Sequence, residues 1–208
     1  MKPDVNSDEV VIGEAIEADE VLMAEVVEGR HERLGLLVRR YATPLLTFIR
    51  RMVGDRHRSE ELFQEVFLAV WVKRHLYESG RPFKPWLYAI ALNKCRAALR
   101  SRPAGVPLSD EEAVPANGAA PLDQAMAEET ARAVSGAVGC LPPQQRAVVL
   151  LRIWQNLPYA RIAPIVGCSV ATVRSHMHLG LAALREALAP RLGTLQLPDG
   201  MRSDAIRP

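Results

Sequence analysis

Hydrophobic positions in this chain recur with the period of an α-helix over two long stretches. From Asp19 onward, apolar residues stand three or four positions apart, and a longer run of the same kind extends over 34–52. Two further helical runs follow, over 59–71 and from about Pro85 to Arg100. No alternating pattern of useful length occurs, so the sequence predicts an all-α fold without a sheet.

Single residues mark the expected helix ends. Pro44 lies inside the long run and predicts a kink or a restart there, whereas Gly54 is predicted to end the run. Ser59 is predicted to cap the next helix, because a serine hydroxyl can accept from the first free N–H groups. Pro142 and Pro143 suit the first turn of another helix, where a missing N–H costs nothing.

A segment of small residues separates the helical stretches. Residues 101–124 contain four prolines and two glycines, which disfavour a packed element. The sequence therefore predicts two small helical domains joined by a flexible linker. The predicted segments are an acidic disordered tail at 1–17, domains at 18–102 and 127–192, an acidic linker at 103–126 and a C-terminal tail at 193–208.

The net charge of +2 hides a segregation between these segments. The two domains carry net charges of +6 and +4, whereas the first 17 residues and the linker carry −4 each. Two basic domains around an acidic connector are expected if both domains face a polyanion and the connector does not. Solvated arginine-rich helix faces would give the same charges, so this pattern alone does not decide the partner.

Other features argue against several classes of protein. No apolar run approaches the roughly 20 residues that cross a bilayer, and the acidic N-terminus lacks the pattern of a secretory signal. Cys95, Cys140 and Cys168 are odd in number and far apart, which is typical of buried thiols in a reducing compartment. No nucleophile, paired-carboxylate or phosphate-loop arrangement appears. We therefore expect a cytoplasmic protein that is not an enzyme, with no cofactor, no metal site and no membrane insertion.

The stretch from Leu157 to Arg185 has the spacing of a helix-turn-helix that binds duplex DNA. Ala163 is small enough to lie under the crossing helix, Gly167 can adopt a positive φ in the turn, and Val173 supplies a buried aliphatic side chain. The second helix is predicted from Val170 to about Leu188. An ordinary amphipathic helix pair is the alternative interpretation of this window. The residues predicted at its start and on its exposed side, within reach of base edges and phosphates, are Ser169, as N-cap, Thr172, Arg174, Ser175 and His178.

Two blocks of the chain resemble bacterial RNA polymerase sigma factors of the extracytoplasmic-function (ECF) group. The second region of that group is similar to SEELFQEVFLAVW (59–71) and GRPFKPWLYAIALNKCRAALRSR (80–102). The fourth region is similar to LPPQQRAVVLLRIWQNLPYARIAPIVGCSVATVRSHMHLGLAALREAL (141–188). Both blocks come in the right order, with a short variable linker and no large third region between them.

The resemblance implies a protein that binds core RNA polymerase and promoter DNA, helps to melt the promoter and initiates transcription of a specific regulon. Members of this group are often held inactive by an anti-sigma factor, which is therefore a further implied partner. In the group, the helix that matches 59–71 docks on a coiled coil of the largest polymerase subunit. The residues that this match assigns to polymerase binding are Glu60, Glu61, Gln64 and Glu65.

The resemblance also assigns residues to promoter DNA. The segment from about Leu76 to Trp86 matches the loop that captures a flipped base, and the helix after it matches the reader of the minus-ten element. Aromatic rings can stack on a base, asparagine can pair with adenine, and cations hold phosphates. At least one of Phe83 and Trp86 is expected in the core. The implied minus-ten residues are Tyr77, Arg81, Phe83, Lys84, Trp86, Asn93, Lys94, Arg96 and Arg100. The helix-turn-helix is implied to read the minus-thirty-five element.

The second helix of the helix-turn-helix departs from the group at two positions. His176 and Leu179 stand where relatives commonly have arginine, so weaker duplex binding is expected. Arg146 and Arg152, in the preceding helix, are further candidates for phosphate contacts.

Two other functions remain open at this point. If the chain were a stand-alone helix-turn-helix regulator, the segments 59–71 and 80–102 would have no assigned function. Such regulators also usually dimerise to bind two half-sites. A sigma-derived interaction adaptor would support no promoter-dependent transcription.

Overall fold

The computed structural model describes residues 17–101 and 121–192, and every regular element within those two ranges is a helix. The helices are α1 (Asp19–Val27), α2 (His31–Val53), α3 (Arg56–Val72), α4 (Phe83–Ser101), α5 (Pro121–Cys140), α6 (Pro143–Val149), α7 (Tyr159–Val166) and α8 (Val170–Leu192). A 3-10 turn (Arg74–Leu76) follows α3, and a π-helical turn (Leu150–Trp154) continues α6. The predicted all-α fold with two helical domains is confirmed.

The predicted linker falls mostly outside the described residues, as do the two predicted tails except for Glu17. Helix α5 begins at Pro121, which lies within the range assigned to the linker. The side chains of 129–140 are the first described after the gap.

Helix α2 is the central element of the N-terminal domain, because it contacts α1, α3 and α4. It runs unbroken from His31 through Pro44 to Val53, so the predicted restart is wrong. Its buried side includes Phe48, whose ring meets that of Tyr88 in α4 edge-on at 5.1 Å between centroids. Such an aromatic pair contributes about 0.5–1.5 kcal/mol beyond the burial of its area.

The connection between α2 and α3 follows the sequence prediction at one residue and departs from it at another. Gly54 adopts φ +67° and its N–H donates to the Arg50 carbonyl at 2.7 Å, which ends α2 as predicted. The N-cap of α3 is Asp55 rather than Ser59, because the Asp55 carboxylate accepts from the Arg58 N–H at 2.8 Å. Ser59 is buried, and its hydroxyl donates back to the Asp55 carbonyl.

The C-terminal domain contains the predicted helix-turn-helix, formed by α7 and α8. Gly167 joins the two helices at φ +80°, and the Ser169 hydroxyl accepts from the Thr172 N–H at 3.1 Å as the cap of α8. Ala163 and Val173 are buried beneath the crossing. The residues chosen for this turn from sequence therefore have the predicted conformations.

The turn glycine gives a direct test of this local geometry. Gly167→Ala is expected to lower the free energy of unfolding by about 1–2 kcal/mol, because an L-residue is strained in the left-handed region. A Cβ at Gly167 would meet nothing within 4 Å, so the expected loss of stability comes from backbone strain and not from a steric clash. Urea unfolding followed by circular dichroism measures it. The control is Gly136→Ala within α5, where a Cβ also meets nothing within 4 Å and no positive φ is required. Equal effects of the two substitutions would contradict the assignment.

The two domains pack against each other. Helix α4 contacts α7, and α2 contacts α5, α6 and the π-helical turn. The guanidinium of Arg51 in α2 lies over the Trp154 ring, 4.3 Å from its centroid. The sequence did not predict this arrangement, which we call the closed arrangement.

Arg146 of α6 lies buried at this junction, with 5% of its surface exposed. Its Nη1 donates to the Met52 carbonyl at 2.6 Å, and its Nη2 donates to the carbonyls of Leu141, at 2.9 Å, and Gly139. Met52 and Gly139 belong to the last turns of α2 and α5, where carbonyls lack partners within the helix and carry partial negative charge. The expected contact of Arg146 with phosphate is therefore wrong, because this cation binds two helix ends.

Candidate nucleic-acid interface

The aromatic residues before and within α4 form one cluster. The ring of Tyr77 lies 5.3 Å from that of Trp86 and 6.3 Å from that of Phe83, and Phe83 also meets Tyr41 at 5.5 Å. Phe83 is fully buried and Tyr77 is 5% exposed, whereas Trp86 is half-buried. The prediction that Tyr77 and Phe83 stack on a base is corrected accordingly, because their rings fill the core behind Trp86.

Hydrogen bonds fix this cluster at the start of α4. The Tyr77 hydroxyl donates to the Arg81 carbonyl, and the Phe83 N–H donates to a Glu20 carboxylate oxygen at 3.0 Å. Burial, with the nearby carboxylates of Glu20 and Asp19, raises the pKa of Tyr77 to about 12. The loop from Tyr77 to Phe83 is thus held at both ends, and Trp86 is left at the surface beside it.

The polar candidates of α4 fall into two groups. Asn93 and Arg100 are exposed, and so is Arg81 before the helix, where its Nε lies 2.7 Å from a Glu78 carboxylate oxygen. Lys94 is half-buried, and its Nζ lies 2.9 Å from a carboxylate oxygen of Glu65 in α3. The hydrogen bond from Lys94 lowers the pKa of Glu65 against the opposing effect of burial.

Lys84 and Arg96 are half-buried, and their charged groups contact the C-terminal domain. The Lys84 Nζ donates to the Gln155 carbonyl at 2.8 Å. The Arg96 Nη2 donates to the Val166 carbonyl and to the Gln144 side-chain oxygen, both at 2.8 Å. Burial lowers the pKa of both cations. In the closed arrangement, two of the five cations implied to hold phosphates are therefore occupied by protein.

Gln155 is the residue of the C-terminal domain that receives these contacts. It follows the π-helical turn and precedes Asn156, which has φ +52°, a region that asparagine tolerates better than most residues. The Gln155 side-chain oxygen accepts from the Tyr88 hydroxyl at 2.6 Å, and its amide reaches towards the Pro44 carbonyl at 3.5 Å. Only 4% of Gln155 is exposed. No periodicity or motif in the sequence could have identified this residue.

The face of α8 predicted to bind DNA is open to solvent. The five residues chosen from sequence are all exposed, but the hydroxyls of Ser169 and Thr172 lie 2.8 Å apart at the cap, and that of Ser175 donates to the Ala171 carbonyl at 3.2 Å. Arg174 and His178 stand one turn apart on the same side. Leu179 is 53% exposed beside them, an apolar side chain within a polar face.

The outer face of α3 combines acidic and apolar side chains. Glu61 and Gln64 are exposed and Glu65 is half-buried. Leu68 and Val72, which are 63% and 57% exposed, continue the same row one and two turns further along. The sequence prediction missed these two residues. Their spacing from Glu61, seven and eleven positions, is the signal that could have placed them on this face.

Internal cations already contact part of this acidic face. The carboxylate of Glu60 accepts from Arg50 at 3.2 Å and from Arg56 at 3.3 Å, and Glu61 accepts from Arg58 at 2.7 Å. Glu60 faces the end of α2 and is half-buried. Of the four residues predicted to bind polymerase, Glu61 and Gln64 are the most exposed. We call Glu61, Gln64, Glu65, Leu68 and Val72 the docking face.

Metal clusters and membrane-spanning helices are both absent from the part of the chain that the structure describes. In 17–101 and 121–192, no group of three or more His, Cys, Asp or Glu side chains is placed to hold a metal ion. No helix within those ranges is both long and apolar enough to span a bilayer.

Comparison with known proteins gives matches in both domains. The family model described as Sigma-70 region 2 matches residues 37–103, and that described as Sigma-70, region 4 matches residues 131–184. Together these models cover more than half of the chain, in the order in which the two domains occur.

Several known proteins are similar to this chain along most of their own length. The ECF RNA polymerase sigma factor SigW of Bacillus subtilis is 27% identical over 174 residues, which is 79% of this chain and 93% of SigW. The solved structure of CnrH in complex with the cytosolic domain of CnrY has a TM-score of 0.66 and 25% identity, and covers 84% of this chain and 99% of CnrH. The sigma factor RpoE of Bartonella quintana, solved with the anti-sigma factor NepR, is 23% identical with a TM-score of 0.60 over 74% of this chain and 96% of RpoE, a likeness of fold.

Proposed function

The chain belongs to the sigma-70 family of RNA polymerase sigma factors, in the ECF group. On this premise we propose which of its surfaces bind core polymerase and which bind promoter DNA. It is a factor that binds core RNA polymerase and promoter DNA and initiates transcription. This conclusion rests on the presence of regions 2 and 4 in one chain. The chain also matches the relative SigW along 93% of its length.

We propose the domain boundaries given by the sequence. Region 2 occupies 18–102 and region 4 occupies 127–192, with 103–126 as the linker between them. The tails at 1–17 and 193–208 lie outside both regions. The ranges of the family models, 37–103 and 131–184, support this division.

The minus-ten surface is proposed on the exposed part of α4 and the loop before it. Asn93 is the proposed base reader, since an asparagine amide can pair with an adenine edge. Arg81, Lys94 and Arg100 are the proposed phosphate anchors, and Trp86 is the proposed stacking side chain. Asn93, Arg81 and Arg100 are exposed, and Trp86 and Lys94 are half-buried, which supports these roles. Tyr77 and Phe83 are assigned to the support of the loop.

The minus-thirty-five surface is proposed on α8. Arg174 and His178 are one turn apart and exposed, so both can enter a major groove together. Thr172 and Ser175 flank them, and Ser169 acts mainly as the cap. This face offers one arginine in the first two turns of the helix, which supports weak binding to duplex.

Leu179→Arg tests this assignment. The new cation is expected to tighten binding to promoter duplex and to make the logarithm of the affinity fall about one unit more steeply with the logarithm of salt concentration. Fluorescence anisotropy at several salt concentrations measures both quantities. Leu179→Gln is the matched control, because it removes the exposed apolar side chain without adding a charge. An arginine variant that binds like the glutamine variant would contradict the placement of α8 on DNA.

Polymerase binding is proposed on the docking face. An acidic row that continues into exposed leucine and valine suits a helical partner with basic and apolar positions on one side. The apolar half adds buried area, and the acidic half adds charge complementarity. Glu61 and Gln64 are the proposed contacts with the least internal competition.

Three finer properties are also proposed. The chain has no catalytic activity of its own, and sigma factors are in general non-catalytic initiation factors. It acts in the cytoplasm, where core RNA polymerase is found. It is bound by an anti-sigma factor, as its structural neighbour RpoE is bound by NepR.

Run-off transcription tests the function as a whole. The protein is added to bacterial core polymerase with a pool of genomic promoter fragments from its host. Discrete transcripts that require the protein are expected, and their start sites reveal both promoter elements. Co-migration with core polymerase but no transcript would favour an adaptor. Failure to bind core, with binding to duplex retained, would favour a stand-alone regulator.

A further inference from the structure

The sequence around the start of α4 offers no side chain that commonly caps a helix. Residues 81–86 include two prolines and two cations, but no Ser, Thr, Asp or Asn. The first turn of α4, which the structure describes in full, contains Lys84 and no acidic residue. The first N–H groups of a helix lack partners within it and carry partial positive charge. The start of α4 therefore depends on an acceptor from another part of the chain.

Helix α1 supplies this acceptor. The carboxylate of Glu20, which is half-buried, accepts from the Phe83 N–H at 3.0 Å, across 63 positions of the chain. Phe83 is the first residue of α4. A carboxylate is a stronger acceptor than a neutral oxygen, and its charge complements that of a helix start. Glu20 thus has the role that a local cap has in other helices.

Asp19 supports the same place from the neighbouring position of α1. Its carboxylate accepts from the Tyr41 hydroxyl and pairs with Arg40, both on α2. The ring of Tyr41 meets that of Phe83 edge-on, with 5.5 Å between centroids. Helix α1 also contacts α4 and the 3-10 turn before the loop. Two adjacent carboxylates of α1 therefore fix the first residue of α4 and the ring beside it.

The loop before α4 is exposed between its two ends. It turns at Gly80, which has φ +87°, and residues 78–81 are all exposed. The Tyr77 hydroxyl donates to the Arg81 carbonyl and closes the loop on itself. The bond from Glu20 joins the far end of the loop to the domain. Without that bond, the loop would lose a direct link to α1.

We propose that Glu20 is a positioning residue for promoter melting, whose carboxylate holds the loop 77–83 in the shape that receives a flipped base before DNA is bound. The inference rests on the proposed function for the role of the loop. Flipping a base costs free energy that the protein has to offset, and a loop that is already ordered loses less entropy on binding. The Sigma-70 region 2 match begins at residue 37, so Glu20 lies outside the residues that it covers.

Amide hydrogen exchange of the full chain, resolved by residue with nuclear magnetic resonance, tests the positioning. Glu20→Ala is expected to raise the exchange rate of the Phe83 amide by about tenfold or more, because local opening then costs less. Glu25→Ala is the matched control, since Glu25 is also half-buried on α1 but pairs with Arg30 and Arg33. Unchanged exchange at Phe83 in Glu20→Ala, or an equal rise in both variants, would overturn the proposal.

Two conservative variants sharpen this test. Glu20→Gln keeps a side-chain oxygen at the same reach, so it is expected to restore most of the protection of the Phe83 amide. Glu20→Asp keeps the charge but withdraws the acceptor by one methylene group, and it is expected to behave like the alanine variant. The aspartate variant keeps the test decisive if the alanine variant fails to fold. Protection by aspartate but not by glutamine would overturn the proposed hydrogen bond.

Transcription by the holoenzyme tests the role in melting. The templates are a promoter fragment from the run-off pool and the same fragment with a mismatched, already separated minus-ten element. Glu20→Ala is expected to lower transcription by about tenfold or more on the duplex and by less than about threefold on the mismatched template, which needs no flipping. Glu20→Gln is expected to recover most of the loss, and Glu25→Ala to behave like the natural chain. Equal losses on both templates would indicate a merely structural role and overturn the proposal.

The outcomes also separate this proposal from the proposed function. If the natural chain supports no transcription, the function as a sigma factor fails, and the role of Glu20 in melting fails with it. If the natural chain is active and Glu20→Ala transcribes the duplex equally well, only the role of Glu20 is wrong.

Discussion

Replacing Arg146 by alanine is expected to lower the free energy of unfolding by about 3 kcal/mol or more. The guanidinium donates to three carbonyls, and a charged donor to a buried acceptor contributes about 1.5–3 kcal/mol. After the substitution, the carbonyls of Met52 and Leu141 remain near the core with no described replacement for this donor. Thermal or urea unfolding of the full chain, followed by circular dichroism, measures the loss.

Two variants separate this effect from a general loss of packing. Arg152→Ala removes a half-buried arginine of the π-helical turn that donates to the Leu157 carbonyl at 3.3 Å and lies over the Tyr159 ring, 5.1 Å from its centroid. This substitution is expected to cost much less, because it leaves no buried carbonyl without the donation of a charged group. Arg146→Lys retains the charge but not the planar fork, so an intermediate loss is expected. An alanine variant at position 146 as stable as the one at position 152 would show that the buried guanidinium is not needed.

Reversing one charge on the docking face is expected to weaken binding of core polymerase by about tenfold or more, which corresponds to about 1.4 kcal/mol. Glu61→Lys is the variant, because Glu61 is 62% exposed at its side chain and its described partner is the neighbouring Arg58. A lysine there would face the basic partner proposed for this surface. Binding of the labelled protein to core polymerase, measured by anisotropy without DNA, tests the prediction.

The control for this experiment is Glu32→Lys at the start of α2. It reverses the same charge at a side chain with 63% exposure, away from the docking face. Its affinity for core polymerase is expected to stay within about twofold of the natural chain, since exposed charges outside an interface have small effects. Equal losses for both variants would mean that only the net charge of region 2 matters, and the proposed docking face would be wrong.

Local features of this fold were predictable from sequence. Helical periodicity located the main helices, and glycine at 54 and 167 identified two turns, because their positive φ values depend on the residue itself and its immediate neighbours. The cap of α3 was misplaced by four residues for a local reason as well. Asp55 and Ser59 are both good caps, and the polar residues between them gave no apolar signal to choose the earlier one.

The partners of side chains were not predictable in the same way. Lys84, Arg96 and Arg146 look alike as basic residues on amphipathic helices, yet all three donate to carbonyls of distant elements. Those acceptors become available only when helix ends from separate parts of the chain come together. Hydrophobic periodicity predicts which side of a helix is apolar. It does not predict which distant helix end will supply the acceptor for a basic side chain.

Aromatic residues near α4 illustrate the same limit. Tyr77, Phe83 and Trp86 are within ten positions of each other and all suit base stacking by type. The structure distributes them by depth, with Phe83 innermost and Trp86 outermost. The expectation that at least one of Phe83 and Trp86 belongs to the core is confirmed for Phe83, but which ring remains accessible depends on the packing of α1 and α2 against the loop.

The bond from Arg146 to Met52 has a consequence for the local stability of the protein. It joins the end of α2 to α6 of region 4, so in the closed arrangement the two regions protect one another from local fraying. Separation gives up that protection in both. The last turn of α2 is therefore held in place by a residue almost one hundred positions further along the chain, and its local stability depends on the C-terminal domain as well as on its own helix.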